Sequence, residues 1–247
     1  SNVFAAISHS THLTWRTLHS NHFRIHFHDG TEALAIQLAK IAENVHARLS
    51  GEFVISSDAP TDVVLSDETD FANGSANVTP YKLININISP PVFIPELLDY
   101  AWWLETVFTH EYTHILHLDQ AEDLPRHLRS IFGRMEWLFP NSLQPLWLIE
   151  GLASYYETDS ARGIGRGQDS YFDMLMRMEV ELGFKPLRQI NQDINTWPGG
   201  RSAYLYGVHF YQYLREKYTA QSIKNFIRTY SSNILPSVGE ALPTEEG

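Results

Sequence analysis

The sequence predicts an α+β fold, with short strands and one helix in the first third and helices in the remainder. Three observations carry this expectation. Apolar residues alternate with period two in two stretches before residue 90, a third short apolar run lies between them, and beyond residue 90 apolar positions recur at helical spacing through five segments. Apolar residues make up 43% of the chain and charged residues 19%, the balance of a globular protein with a packed core.

The elements follow in order. In residues 22–28, Phe23, Ile25 and Phe27 alternate with His22, Arg24, His26 and His28, as in a half-buried strand. Asp29-Gly30 turns the chain, and Thr31 is placed to cap a helix over 31–49. Its apolar face is Leu34, Leu38, Ile41, Val45 and Leu49, and Gly51 ends it. Val63-Val64-Leu65 is a second strand, and residues 66–80 read as a polar loop. Residues 83–88 alternate cleanly, and Pro90-Pro91 stops them. Pro95 suits the first turn of a helix carrying residues 97–118. Asp99 and Glu105 interrupt its apolar run, so it reads as a buried helix and falls short of the ~18 apolar residues of a membrane span. Pro145 opens a helix running through Glu157, a further one covers 170–182 before Gly183, and two more cover 202–218 and 219–230. The last presents Ile223, Phe226, Ile227 and Tyr230 on one face.

With 247 residues the chain suits a single domain with two sublobes, 20–118 and 119–235. Ser1-Asn2 is compatible with a trimmed start and the polar 236–247 with a tail leading onward, so the chain is expected to be a fragment of a longer protein. There are no cysteines, so disulfides and thiolate metal sites are excluded and any metal must be held by His and carboxylate. A net charge of −11 argues against a nucleic-acid partner, which needs a basic face.

His110-Glu111-Tyr112-Thr113-His114 is an H-E-x-x-H motif. On a helix, residues four apart lie one above the other, so both imidazoles can grip one ion while Glu111 reaches a water beside it. Val107, Phe108, Ile115, Leu116 and Leu118 bury the motif. Core histidines with ordinary hydrogen bonds are the bland alternative, and they would need several buried partners, since each unpaired polar group costs about 1–3 kcal/mol. A catalytic zinc wants three protein ligands and an open position. His117 and Asp119 are too close along the same helix to complete the set. Glu150, a lone carboxylate in the apolar Trp147-Leu148-Ile149-Glu150-Gly151-Leu152-Ala153, is the better third ligand, with a buried ion pair to an arginine as its competitor.

An H-E-x-x-H motif followed 36 residues after its second His by the Glu of W-L-I-E-G-L-A-S-Y-Y-E resembles the gluzincins, the thermolysin-like and aminopeptidase-like zinc peptidases. More narrowly the chain is similar to the bacterial peptidase MA-like domains, over roughly residues 20 to 230. Phe132-Gly133-Arg134, Trp197-Pro198-Gly199-Gly200 and Tyr204-Leu205-Tyr206-Gly207 fall in the order those domains show. The resemblance implies a thermolysin-like fold, a mixed sheet with helices followed by a mainly helical lobe. It also implies one Zn2+ per chain on His110, His114 and Glu150, with Glu111 as general base. Tyr204, in a Y-x-x-G element, would donate a hydrogen bond to the tetrahedral oxyanion, with core packing as its alternative; for Tyr206 packing is favoured. The expected substrate is a peptide or protein and the expected location extracytoplasmic, in a bacterial periplasm or secreted, with no transmembrane segment. Some such domains precede a β-propeller, so a propeller or other C-terminal domain is expected in the full-length protein. No G-A-M-E-N-like element is present, which separates the chain from aminopeptidases that read a substrate amino terminus. Residues 118–146 form an insertion relative to those enzymes, placed to shape a cleft or lid.

Two rivals accompany the peptidase reading: a catalytically silent scaffold that keeps the metal fold, and a zinc hydrolase of a non-peptide amide or ester. The strand 83–88, were it the sheet edge beside the motif helix, could pair with an extended peptide, with Asn73 to Asn77 at the cleft mouth. His22, His26 and His28 share a strand face with Arg24, either solvated or forming an accessory metal site. Arg201 is either a surface arginine or a clamp for a substrate carboxylate, and Glu157 is a candidate partner for a ligand histidine.

Overall fold

The computed structural model describes residues 12–70, 73–89, 103–191 and 197–233. Within them the chain is mixed α/β: a five-stranded sheet and seven α-helices, with the sheet and two helices first and the helical part second. The strands are β1 Trp15–His19, β2 Phe23–His28, β3 Thr61–Ser66, β4 Asn73–Asn77 and β5 Leu83–Asn87, in the spatial order β1-β2-β3-β5-β4. β2, β3 and β5 run parallel to one another, and the two outer strands pair antiparallel. Helix α1, Glu32–Leu49, makes the crossover from β2 to β3. Phe23, Ile25, Val63, Leu65, Ile84 and Ile86 are buried as the alternation predicts.

Four expectations need correction. The stretch 66–80 is not all loop, because Asn73–Asn77 is a strand. Its Asn, Gly and Ser have low strand propensity, and backbone pairing to β5 holds it in place. Consequently 83–88 is not the sheet edge: β4 lies outside it, with Gly74 opposite Ile86 and Ala76 opposite Ile84. β1 was not predicted at all; only its pairing to β2 defines it. Thr31 stands at the start of α1, but its hydroxyl donates to His28 O at 2.8 Å and makes no side-chain cap. His28 also departs from the proposed solvated face, since it is buried where β2 ends.

The motif helix α2 is described over Trp103–Asp119; Pro90-Pro91, Pro95 and the proposed helix start at 97 lie outside the described residues, as does the tail 236–247. Then come α3 Asp123–Phe132, α4 Leu146–Glu157, α5 Ser170–Leu182, α6 Ser202–Lys217 and α7 Ala220–Ser231. The segment 118–146 is tied to the end of α2. Arg129 and Arg134 both reach Asp119, at 3.2 and 2.7 Å, and buried Asn141 donates to His117 O at 2.7 Å. One continuous apolar cluster runs from Phe23, Ile25 and Ile84 through Phe108 and Leu148 to Tyr211 and Phe226, so sheet and helices share a core. Among the described residues no helix is long and apolar enough to cross a membrane.

α4 and α6 cross at Gly151 and Gly207. A Cβ on Gly151 would sit 2.3 Å from Gly207 Cα, and one on Gly207 would sit 2.1 Å from Trp147 O, distances no packed side chain tolerates. Helix backbones this close require residues without side chains, and the reward is dispersion contact along both helices. Gly151→Ala and Gly207→Ala are each expected to cost about 3 kcal/mol, because the helices must move apart. Gly51→Ala, at a site with open space, should change little. Urea unfolding midpoints of the three variants check this, and equal stability across them would contradict it.

Candidate metal centre

α2 and α4 pack side by side and bring the predicted ligands together. His110 Nε2 lies 3.2 Å from Glu150 Oε2, and His114 Nε2 lies 3.5 Å from the same oxygen. Among the described residues these three form the one His/Asp/Glu group whose ligand atoms all fall within 4.8 Å of one another. Four ligand atoms about 2.0–2.1 Å from a tetrahedral ion stand roughly 3.4 Å apart, so the two measured separations suit a shared cation. The imidazole rings meet edge to face, with centroids 4.8 Å apart, and both Nε2 atoms approach the same Glu150 oxygen.

Charge supplies a second test of fit. Glu150, Glu157 and Glu111 are set against the single guanidinium of Arg166, so with neutral imidazoles the cluster carries two uncompensated negative charges. Burial alone would lower the His110 pKa, but Glu150 and Glu157 at its two nitrogens overcome this and raise it to about 10. Burial would likewise raise Glu150, yet the facing imidazoles of His114 and His110 hold it well below the usual carboxylate range. The carboxylates thus demand positive charge between them, and a divalent cation on the three ligands would satisfy that demand.

Glu157, on the last turn of α4, orients His110. The His110 Nδ1–H donates to Glu157 Oε2 at 2.7 Å, which leaves Nε2 as the ligand nitrogen. Arg166 then holds Glu157: its Nη1 donates to both carboxylate oxygens, at 2.9 and 2.8 Å, and its backbone N–H donates at 3.2 Å. Burial opposes the Glu157 charge, and the Arg166 guanidinium outweighs it, keeping the carboxyl ionised. The competing sequence reading, Glu150 clasped by an arginine, does not hold among the described residues; the arginine pairs with Glu157. Arg166 was not singled out from the sequence. The available signal was a lone cation between Gly165 and Gly167, shortly after the Glu150 helix.

Glu111 is 6% exposed, and its carboxylate accepts no hydrogen bond and forms no ion pair among the described residues. Burial raises its pKa, against the opposing pull of His110 and His114. Gly74 makes room for it, since a Cβ there would lie 2.6 Å from Glu111 Oε1. Tyr204, on α6, stands over the site: its ring centroid is 6.1 Å from that of His110, and the Arg166 guanidinium lies 4.9 Å above its face. Burial and then the Glu150 charge push the phenol pKa up, so its proton stays on. Tyr206 is employed elsewhere, donating to Glu179 and accepting from the Lys185 N–H at 3.0 Å.

The remaining sequence candidates stand outside this group. Among the described residues, His22 pairs with Glu43 at 2.7 Å and His26 with Asp62 at 2.8 Å, and no cluster of metal-binding spacing forms on β2. Arg201 packs near the Tyr171 ring, 5.9 Å from its centroid, and its Nη1 reaches Pro198 O at 3.4 Å. No protein-family model matches this chain and no curated protein does either, so the chemistry is argued from the site itself.

Arg166→Met should weaken divalent-cation affinity ten- to a hundredfold, the usual effect of losing the support of a ligand histidine. Chelator competition measures it, and an unchanged affinity would remove Arg166 from the centre. A second expectation concerns His117, fully buried on the same helix with neither ring nitrogen partnered among the described residues. Burial depresses its pKa from 6.5 to about 3. The unfolded chain gains this proton as pH falls through 6.5 and the folded chain does not until about 3, so stability drops across that window. From pH 7 to pH 5 the wild type should lose about 2 kcal/mol more than His117→Met, read by urea unfolding at both values.

Proposed function

We propose that this chain is a zinc-dependent metallopeptidase of the gluzincin type, with a thermolysin-like arrangement of sheet and helices. One observation carries the reading: Glu111 is buried beside the two imidazoles, unpaired among the described residues, and adjacent to the ligand group without belonging to it. A centre kept only for structure has no use for such a carboxylate, because leaving it buried and unpaired is costly.

His110, His114 and Glu150 would hold the ion, and the absence of thiols together with two imidazoles and one carboxylate suits Zn2+. When bound, zinc lowers the pKa of a coordinated water toward about 7 and polarises a carbonyl oxygen. Glu111 takes the proton of the attacking water and passes it to the leaving nitrogen. Its carboxylate has no hydrogen-bond or ion-pair partner among the described residues and is available for both transfers. Tyr204 keeps its phenolic proton and donates a hydrogen bond to the oxyanion as negative charge develops. Glu157 and Arg166 hold the His110 ring in one tautomer throughout. The substrate is a peptide or protein segment. β4, the outer strand beside α2, pairs on one side only among the described residues, and an extended chain can add to its other edge.

The purified protein is expected to carry about one zinc per chain by elemental analysis, in both wild type and Glu111→Gln, and to cleave a peptide library only as wild type. Tyr204→Phe should lower kcat on the order of a hundredfold with metal content unchanged. Glu150→Ala should lose the metal. A zinc-loaded wild type that cleaves no peptide would sink the reading in favour of a silent scaffold, or of a hydrolase of another amide if a non-peptide substrate turned over. Full zinc content in Glu150→Ala would place the third ligand elsewhere.

A further inference from the structure

α2 has a second face, turned away from the metal centre. Tyr112, Ile115, Leu116 and Asp119 of that face line a separate cavity of about 360 Å³, within the range of small-molecule pockets. α1 contributes His46 and the segment before β3 contributes Val54 and Ala59.

Two side chains of this cavity, His46 and Lys82, carry N–H groups that remain unused among the described residues. The Tyr112 hydroxyl lies 2.6 Å from His46 Nδ1. Tyr112 is buried and His46 Nδ1 is the acceptor its hydroxyl reaches among the described residues, so the phenol donates to Nδ1. Burial, then the nearby His22, lowers the His46 pKa and keeps the ring neutral at pH 7. Its own proton therefore sits on Nε2, which has no partner among the described residues. Lys82 donates to Ser57 O at 3.0 Å and forms no ion pair among the described residues, so further ammonium N–H groups remain unused. Of the two carboxylates that line the cavity, Asp119 is already engaged by Arg129 and Arg134, and Asp58 stands exposed at the rim. Ile115, Leu116 and Val54 supply an apolar wall.

We propose that this cavity is a binding site for a small monocarboxylate with a short aliphatic or aromatic tail, its carboxylate held by Lys82 and His46 and its tail on Ile115 and Leu116. A carboxylate supplies the acceptors that the free N–H groups require, and the tail removes apolar wall from water. The proposal does not depend on the peptidase reading, because none of its residues belongs to the metal group.

The test uses the metal-loaded chain, with hexanoate and benzoate set against hexanol and hexylamine, followed by calorimetry and saturation-transfer NMR. The carboxylates should bind and the neutral and cationic analogues should not. Lys82→Met should weaken binding about ten- to a hundredfold, the loss of one charge-assisted hydrogen bond. Ala59→Trp, at the exposed rim, should abolish binding by filling the mouth. Carboxylates also coordinate metals, so Glu150→Ala separates the two sites: binding should persist there. The proposal fails if no carboxylate binds at about 10 mM, where a millimolar ligand would be nine-tenths bound. It also fails if hexanol binds equally well, or if Glu150→Ala removes binding that Lys82→Met leaves intact. Should Lys82→Met not fold, unchanged affinity in Ala59→Trp overturns it alone.

Discussion

The site depends on how closely α4 can approach α6. Glu150 precedes Gly151 in sequence, and Tyr204 precedes Gly207 by one helical turn. Because those two glycines touch backbone to backbone, the helix that carries Glu150 and the helix that carries Tyr204 are fixed relative to each other at the point where both face His110. A second close approach sets the other wall. Gly74 on β4 lets the sheet edge come against Glu111, so the carboxylate has a strand on one side and two imidazoles on the other. Packing at glycine contacts, more than any single polar bond, determines where the chemical groups stand.

Upon that frame the charges impose their own order. Three carboxylates in a largely buried cluster would repel one another if left alone, and the two favourable responses are a proton or a cation between them. Arg166 accounts for one of the three by binding Glu157, and it does so from a loop that also lays its guanidinium over the Tyr204 ring. The same cation therefore touches two lines of support, the one that orients His110 and the one that restrains Tyr204. A ring held by a charge on one face and by packing behind it has few alternative positions.

Much of this was legible in the sequence because it rests on local periodicity. The spacing of His110 and His114 implies one helix face, and an isolated Glu150 in an apolar run implies a buried partner, whatever the tertiary fold. Strands β2 and β5 announced themselves by alternation. What was hidden is non-local. β4 is made of Asn, Gly, Ser and Ala, residues that favour loops, and it is a strand only because β5 offers it hydrogen bonds and α2 presses on its small residues. Placing 83–88 at the edge followed from missing it. Arg166 carries no pattern of its own; its role appears only when the loop after α4 folds back on Glu157. Thr31 looked like a cap, yet its hydroxyl found His28 O first, a competition between neighbours that residue preference does not decide.

The motif helix explains why both faces of α2 matter. From Thr106 to His117 every residue is buried, so the helix has no solvent face on which a substitution would be neutral. His110, Glu111 and His114 turn toward α4 and β4, while Tyr112, Ile115 and Leu116 turn toward α1 and the second cavity. Tyr112 stands between Glu111 and His114 in sequence, and its ring packs on Phe23 and Phe108 while its hydroxyl is tied to His46. Rotating the helix to relieve strain on one face would break contacts on the other. A helix anchored on one side by Glu150 and Glu157 against His110, and on the other by the Tyr112–His46 hydrogen bond, is held in register by both. The motif's other two positions, Tyr112 and Thr113, are thereby as constrained as its histidines: Tyr112 by His46, and Thr113 by the bond its hydroxyl donates to Thr109 O at 2.8 Å within a fully buried turn.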